Sequence, residues 1–159
     1  MHVERLMLGP NGWVPNNPLI PVRVYTGMRL SDGSLPGASA LERMFAGHGW
    51  PPDWRGGVYD YHHYHSTAHE VLGVFAGRAR LELGGPGGTE VTIEAGDALL
   101  LPAGTGHRCI EADAAFRLVG AYPAGQDWDI LREAPDAATR VRIRTLPTPG
   151  RDPIDGAPF

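Results

Sequence analysis

Three side chains able to bind a metal stand close together in the stretch G-V-Y-D-Y-H-H-Y-H-S-T-A-H-E-V-L-G-V-F-A-G, from Gly57 to Gly77. They are His63, His65 and Glu70. Side chains two apart on an extended strand share a face, so His63 and His65 can aim at one point. Glu70 can reach that point from the neighbouring strand. Two imidazoles and a carboxylate converging on one spot suit a transition metal. His62 and His69 have the opposite parity and read as surface or interface histidines, or as outer hydrogen-bond partners of the site. Tyr59 and Tyr61 share the parity of His63. Both are candidates for lining a pocket beside it, with core packing as the alternative.

The elements that must position these residues are short strands. Among 159 residues, Gly 22 and Pro 15 are abundant, which suits many tight turns. The pattern predicts strands over 58–65, 69–76, 78–83, 89–94, 97–102, 107–111 and 115–122. Glycine-rich turns separate several of them: Gly84-Gly85-Pro86-Gly87-Gly88, Ala95-Gly96-Asp97 and Ala103-Gly104-Thr105-Gly106. The first of these has no following Lys-Ser/Thr and no helix, so it reads as a hairpin and not a phosphate loop. Many short strands with regular turns mean a sandwich or barrel.

Upstream, four prolines and several asparagines in residues 1–21 predict an irregular arm. Val22 to Thr26 reads as a strand. Ser39 reads as a helix N-cap with Glu42 as its capping-box partner, and Leu41, Met44 and Phe45 share one face of that helix. W-P-P-D-W-R-G-G, Trp50 to Gly57, reads as a loop whose tryptophans pack or stand at a cavity mouth. Downstream, P-A-G-Q-D-W-D-I reads as a loop. Asp136 to Arg144 reads as a short helix capped by Asp136 in preference to an edge strand. The proline-rich tail from Pro147 reads as extended or partly disordered.

A second cluster follows from Gly96 to Glu111: G-D-A-L-L-L-P-A-G-T-G-H-R-C-I-E, with His107 opening a strand. Together the two clusters resemble the cupin superfamily. The pattern G-x5-H-x-H-x4-E-x6-G is met by Gly57, His63, His65, Glu70 and Gly77. The pattern G-x5-P-x-G-x2-H-x3-N is met by Gly96, Pro102, Gly104 and His107, with Glu111 where the family usually has Asn. The segments N-N-P-L-I-P, H-H-Y-H-S-T-A-H-E-V-L-G and V-G-A-Y-P-A-G-Q-D-W-D further resemble a subgroup of small bacterial single-domain cupins.

The resemblance implies an all-β double-stranded β-helix, the cupin jelly-roll barrel, with a short N-terminal helix and irregular arms. One domain is expected, with an arm, strand and helix over 1–56, a barrel core over 57–122 and an extension over 123–159. It implies His63, His65, Glu70 and His107 as ligands of one divalent transition metal per chain, Fe, Mn, Ni, Zn or Cu. Cys109 shares the parity of His107 and is a further candidate for the pocket, or else a small buried hydrophobe. The functions implied are a metal-dependent dioxygenase, isomerase or lyase on a small organic molecule, or a non-enzymatic small-molecule-binding or sensing module. Glu111 lies beyond the last ligand and bears on structure only.

Charge and composition narrow the partners. The net charge of −4 comes from scattered residues of both signs. No basic patch calls for nucleic acid, and no amphipathic basic helix calls for a membrane. Arg78, Arg80 and Arg108 read as solvated residues outside the barrel. The single cysteine rules out an internal disulfide and fits a reducing, cytoplasmic setting. The strand at 22–26 and an exposed barrel sheet favour a homodimer. Light scattering should therefore return about twice the 17.1 kDa chain mass; a mass equal to one chain overturns the dimer.

Overall fold

The computed structural model describes residues 1–159 as two antiparallel sheets with two helices. The strands are β1 His2–Leu6, β2 Val22–Thr26, β3 Pro52–Gly56, β4 Glu70–Ala76, β5 Arg78–Leu83, β6 Thr89–Glu94, β7 Ala98–Leu101, β8 His107–Ala112 and β9 Arg117–Ala121. The helices are α1 Ala38–Gly47 and α2 Ala137–Thr145. One sheet has the order β1-β2-β7-β4-β9-β3, the other β6-β5-β8. This is the expected jelly-roll arrangement.

Burial explains why the strands have different patterns. In β5, Ala79, Leu81 and Leu83 point inward, and Arg78, Arg80 and Glu82 alternate with them. One apolar face is enough there, because the other face of the three-stranded sheet carries the ion pairs of Arg80, Glu82 and Arg108. β4 reads E-V-L-G-V-F-A and is apolar on both parities. Leu72 and Val74 fill the barrel core, while Val71 packs on the opposite side with Leu41 and Phe45 of α1. The six-stranded sheet is thus covered on both faces. Arg80 meets Glu90 and Glu111, and Arg108 meets Glu82, all on the outer side.

Several sequence expectations change. Residues 2–6 form an edge strand rather than part of an irregular arm; its charged residues Glu4 and Arg5 suit an exposed edge. Residues 52–56 are also a strand, paired with β9 across a bulge between Pro52 and Trp54. Its prolines concealed it, yet an edge strand tolerates Pro. Helix α1 begins at Ala38 after Gly37, with no side-chain cap; Glu42 bonds Arg55 of β3 at 2.6 Å instead of closing a box. α2 keeps its expected cap, since the Asp136 carboxylate accepts from Thr139 N at 2.8 Å.

The strand expected over 58–65 is not a ladder. That segment makes one bridge to β8, His63 with His107, then changes neighbour and bridges Leu131 through Tyr64. The change of partner after a single pair prevents a continuous strand.

The C-terminal tail is docked. Asp152 is buried and accepts from Tyr25 Oη at 2.5 Å and from an Arg23 guanidinium nitrogen at 2.6 Å. Trp50 donates to the carbonyl of Arg151, and Ile154 joins the cluster beneath α1. Burial opposes ionisation of Asp152, but bonds from Tyr25, the Ile154 amide and Arg23 override it and hold the carboxyl below its usual range. Replacing Asp152 by Ala should cost about 3 kcal/mol, because it leaves a largely buried guanidinium unpaired. Amide exchange should rise across residues 151–159. A carboxylate with a depressed folded pKa stabilises above its unfolded value, about 3.9, and stops doing so as pH falls through the folded one. The stability gap between wild type and variant should therefore close below about pH 4. A gap that stays constant in acid would show that the charge does not hold the tail.

Candidate metal centre

The ring nitrogens of His63, His65 and His107 gather within 4.8 Å of one another, and all three residues are buried. His63 leaves the bridge to β8, His65 follows two residues later, and His107 opens β8 itself. The order 63, 65, 107 thus becomes one triad because the His63–His107 bridge clamps the two segments together. Each ring is held from behind. Nδ1 of His63 bonds the carbonyl of Tyr61 at 3.0 Å, Nδ1 of His107 that of Thr105 at 2.9 Å, and Nδ1 of His65 that of Asp129. A carbonyl only accepts, so each Nδ1 carries a proton, and in the neutral ring Nε2 presents a lone pair. That is the tautomer a metal ligand needs.

Glu70, the first residue of β4, stands on the His65–His107 side of the triad. Its oxygens lie 3.4 Å from His65 Nε2 and 3.3 Å from His107 Nε2. Oε2 also accepts from the Tyr122 hydroxyl at 2.5 Å, while Oε1 is buried and makes no hydrogen bond. An unbonded oxygen on a buried carboxylate, facing a triad of imidazole lone pairs, fits a cation. Burial lowers the His63 pKa, to about 3 with the help of neighbouring His107. For Glu70 burial acts upward and for His65 downward. Their mutual attraction reverses both, so Glu70 lies below the ordinary carboxylate range and His65 above its ordinary value.

A cavity of about 340 Å³ opens on the triad. Its walls include Trp54, Tyr59, Leu72, Tyr122, Trp128 and Ile130. Trp54 lies flat on Gly120: a Cβ at that position would come within 2.7 Å of the indole nitrogen. The glycine lets the indole settle on β9, where its N–H donates to Tyr122 Oη at 2.9 Å.

Of the expected pocket residues, Tyr59 lines the cavity. Tyr61 does not. Its ring stacks on Tyr59 at 4.8 Å and takes the Arg132 guanidinium at 3.8 Å, so it reaches the site only through the carbonyl that orients His63. Cys109 is also off the wall, because it faces Leu81 and packs against the barrel core. His62 turns away to Glu82, 3.2 Å distant. His69 is fully buried, and its Nδ1 accepts from Ala103 N at 2.9 Å, bracing the turn before His107; burial pushes its pKa down to about 4.

Sequence reasoning missed Tyr122, Trp128 and the role of Asp129. The register would have found Tyr122, since Val71 pairs with Ala121 and so sets Glu70 beside it. Asp129 is fixed by Ser66, whose amide and hydroxyl donate to its two oxygens at 2.6 and 2.5 Å. Arg142 of α2 bonds the same hydroxyl at 3.1 Å.

Residues 54–119 match the model of the cupin domain. The chain is also 35% identical over 148 residues to the uncharacterized protein YjlB of Bacillus subtilis (strain 168), covering 92% of this chain and 86% of that one. The chain belongs to the cupin family. As a cupin it has partial structural likenesses. A DUF861 family protein from Thermotoga maritima is 22% identical with a TM-score of 0.32, over 45% of this cupin and 75% of that chain. The dTDP-6-deoxy-D-glucose-3,5-epimerase RmlC from Legionella pneumophila Philadelphia 1 is 12% identical with a TM-score of 0.39, over 88% and 90%. The 11S allergen from Cocos nucifera is 18% identical with a TM-score of 0.40, over 80% of this cupin and 32% of that chain. No helix is long and apolar enough to cross a membrane.

The Tyr122→Phe variant tests how Glu70 is held. It leaves one carboxylate oxygen and the Trp54 N–H without their partner and keeps the ring. Zinc affinity, read by competition with a chelator, should fall about ten-fold. Unchanged affinity would mean that the histidines alone orient Glu70.

Proposed function

We propose that this cupin is a metal-dependent enzyme acting on a small organic molecule, with one divalent transition metal held by His63, His65, Glu70 and His107. The observation that carries this reading is that the triad and Glu70 form part of the wall of a cavity with an accessible rim, where Tyr59 is 52% and Trp128 41% exposed. A purely structural metal needs no cavity beside it. Three imidazoles and a carboxylate suit iron, manganese, nickel, zinc or copper. Bound there, such a metal supplies Lewis acidity to a ligand oxygen and, in the case of iron, redox chemistry.

The chain's own residues prepare the site for that chemistry. The carbonyls of Tyr61, Thr105 and Asp129 turn the three Nε2 atoms toward the cavity. Glu70 contributes the negative charge that offsets a dication. Tyr122 keeps its proton directed at Glu70 Oε2, and burial, then the Glu70 charge, raises its pKa. Trp54 and Trp128 exclude water from one side of the cavity and orient what enters. The reaction classes that fit are those of a dioxygenase, an isomerase or a lyase.

A second reading, a non-enzymatic binding or sensing cupin, draws support from the same wall. The hydroxyl of Tyr122 is committed to Glu70, and the other phenol of the wall, Tyr59, stands at the exposed rim.

Elemental analysis should give about one metal per chain in the wild type and close to none in His63→Ala and His107→Ala. Full metal content in both variants overturns the site. With the wild type loaded, a screen of small organic compounds should give turnover that both variants lose, and oxygen uptake separates a dioxygenase from the other two classes. Ligands bound without conversion across the screen favour the second reading.

A further inference from the structure

The cavity wall indicates what kind of molecule this site accepts, an inference that rests on the metal reading above. Apart from the Tyr59 hydroxyl at the exposed rim, its side-chain donors face the protein and not the cavity. The Trp54 N–H is given to Tyr122 Oη at 2.9 Å, and the Tyr122 hydroxyl to Glu70 at 2.5 Å. The Trp128 N–H is given to Asp53 Oδ2 at 2.7 Å. The Nδ1 protons of the three histidines go to backbone carbonyls. The rings of Trp54, Tyr122 and Trp128 therefore present faces and edges with their polar handles already occupied. Val58, Leu72 and Ile130 complete an apolar lining.

Charge narrows the class further. None of the lining residues is Lys or Arg. Arg132, near the rim, is stacked on the outer ring Tyr61. A phosphorylated or polyanionic compound would find no guanidinium in the wall. A polyhydroxylated compound would bury hydroxyls against indole and aliphatic faces without partners, at a cost for each one. Besides the Tyr59 hydroxyl at the rim, only the triad and Glu70 offer strong polar contacts.

We propose that the cavity selects a compact molecule with a single oxygen-donor head and an uncharged apolar, preferably aromatic, body. The head goes to the triad and the body lies among Trp54, Tyr122 and Trp128. Sugars and phosphorylated compounds are rejected.

A series with one head and different bodies tests this. Acetohydroxamate, benzohydroxamate and gluconohydroxamate carry the same chelating group, and their binding to the zinc-loaded chain is measured by titration calorimetry. Zinc is redox-inert and leaves the probes intact. Benzohydroxamate should bind at least ten-fold more tightly than acetohydroxamate, as burial of a phenyl ring requires. Gluconohydroxamate should bind no better than acetohydroxamate. Trp128→Ala should weaken benzohydroxamate at least five-fold while zinc content and acetohydroxamate affinity stay unchanged. Equal affinity of the benzo and aceto compounds at full zinc content overturns this proposal alone, as does tighter binding of the glucono compound. Failure to hold zinc overturns the metal reading and this proposal with it.

Discussion

The direction of three imidazole rings governs this fold around its centre. Each ring must give its Nδ1 proton to a carbonyl so that Nε2 faces the shared point. Two of the carbonyls, those of Tyr61 and Thr105, lie two residues before the histidine they orient. A ring bonded so close to its own backbone competes with the strand ladder. This is consistent with the broken strand around His63 and with β8 starting only at His107. The third carbonyl, of Asp129, lies far along the chain from His65. That one bond makes the loop after β9 part of the centre. The loop is secured through Ser66, and through Arg142 of α2, so a helix with no residue in the cavity still bears on how His65 points.

What the sequence made legible follows from how local each cause is. Two spaced motifs name His63, His65, Glu70 and His107, and the glycine turns mark the hairpins, since both depend on neighbours along the chain. β5 announces itself by alternation because only one of its faces is covered, and β4 by a continuous apolar run because α1 covers the second. β1 and β3 stayed hidden because edge strands tolerate the charge and proline that argue against a strand in isolation. Tyr122 and Trp128 stayed hidden for another reason. Their place depends on the pairing of β4 with β9 and on the path of the loop beyond, and neither is written in local spacing. The tail was misread because its prolines suggest mobility, while the partners that fix Asp152, Tyr25 and Arg23, lie at the other end of the chain.

Glu70 carries the electrostatic side of the same design. A fully buried carboxylate is costly unless it is paired. No Arg or Lys lines the cavity; its partners are two imidazoles and a phenol. That pairing raises the His65 pKa, although burial opposes it. A cation at the triad would compete with a proton for the same Nε2 lone pair. Occupancy by a metal and protonation of the centre are therefore linked, and loading should release protons.

The hydrogen bonds that hold Glu70 also take donors away from the cavity wall. Trp54 could have offered its N–H to a ligand, but Gly120 lets the indole lie flat on β9, where the N–H meets Tyr122. Tyr122 could have offered its hydroxyl, but Glu70 takes it. Each donor used to hold Glu70 is one removed from the wall. Polar groups are thus concentrated at the triad, Glu70 and the Tyr59 rim, and the rest of the wall offers mainly apolar contact. A larger polar ligand would have to break Trp54–Tyr122 or Tyr122–Glu70 to find a partner, and breaking the second loosens the carboxylate that faces the triad.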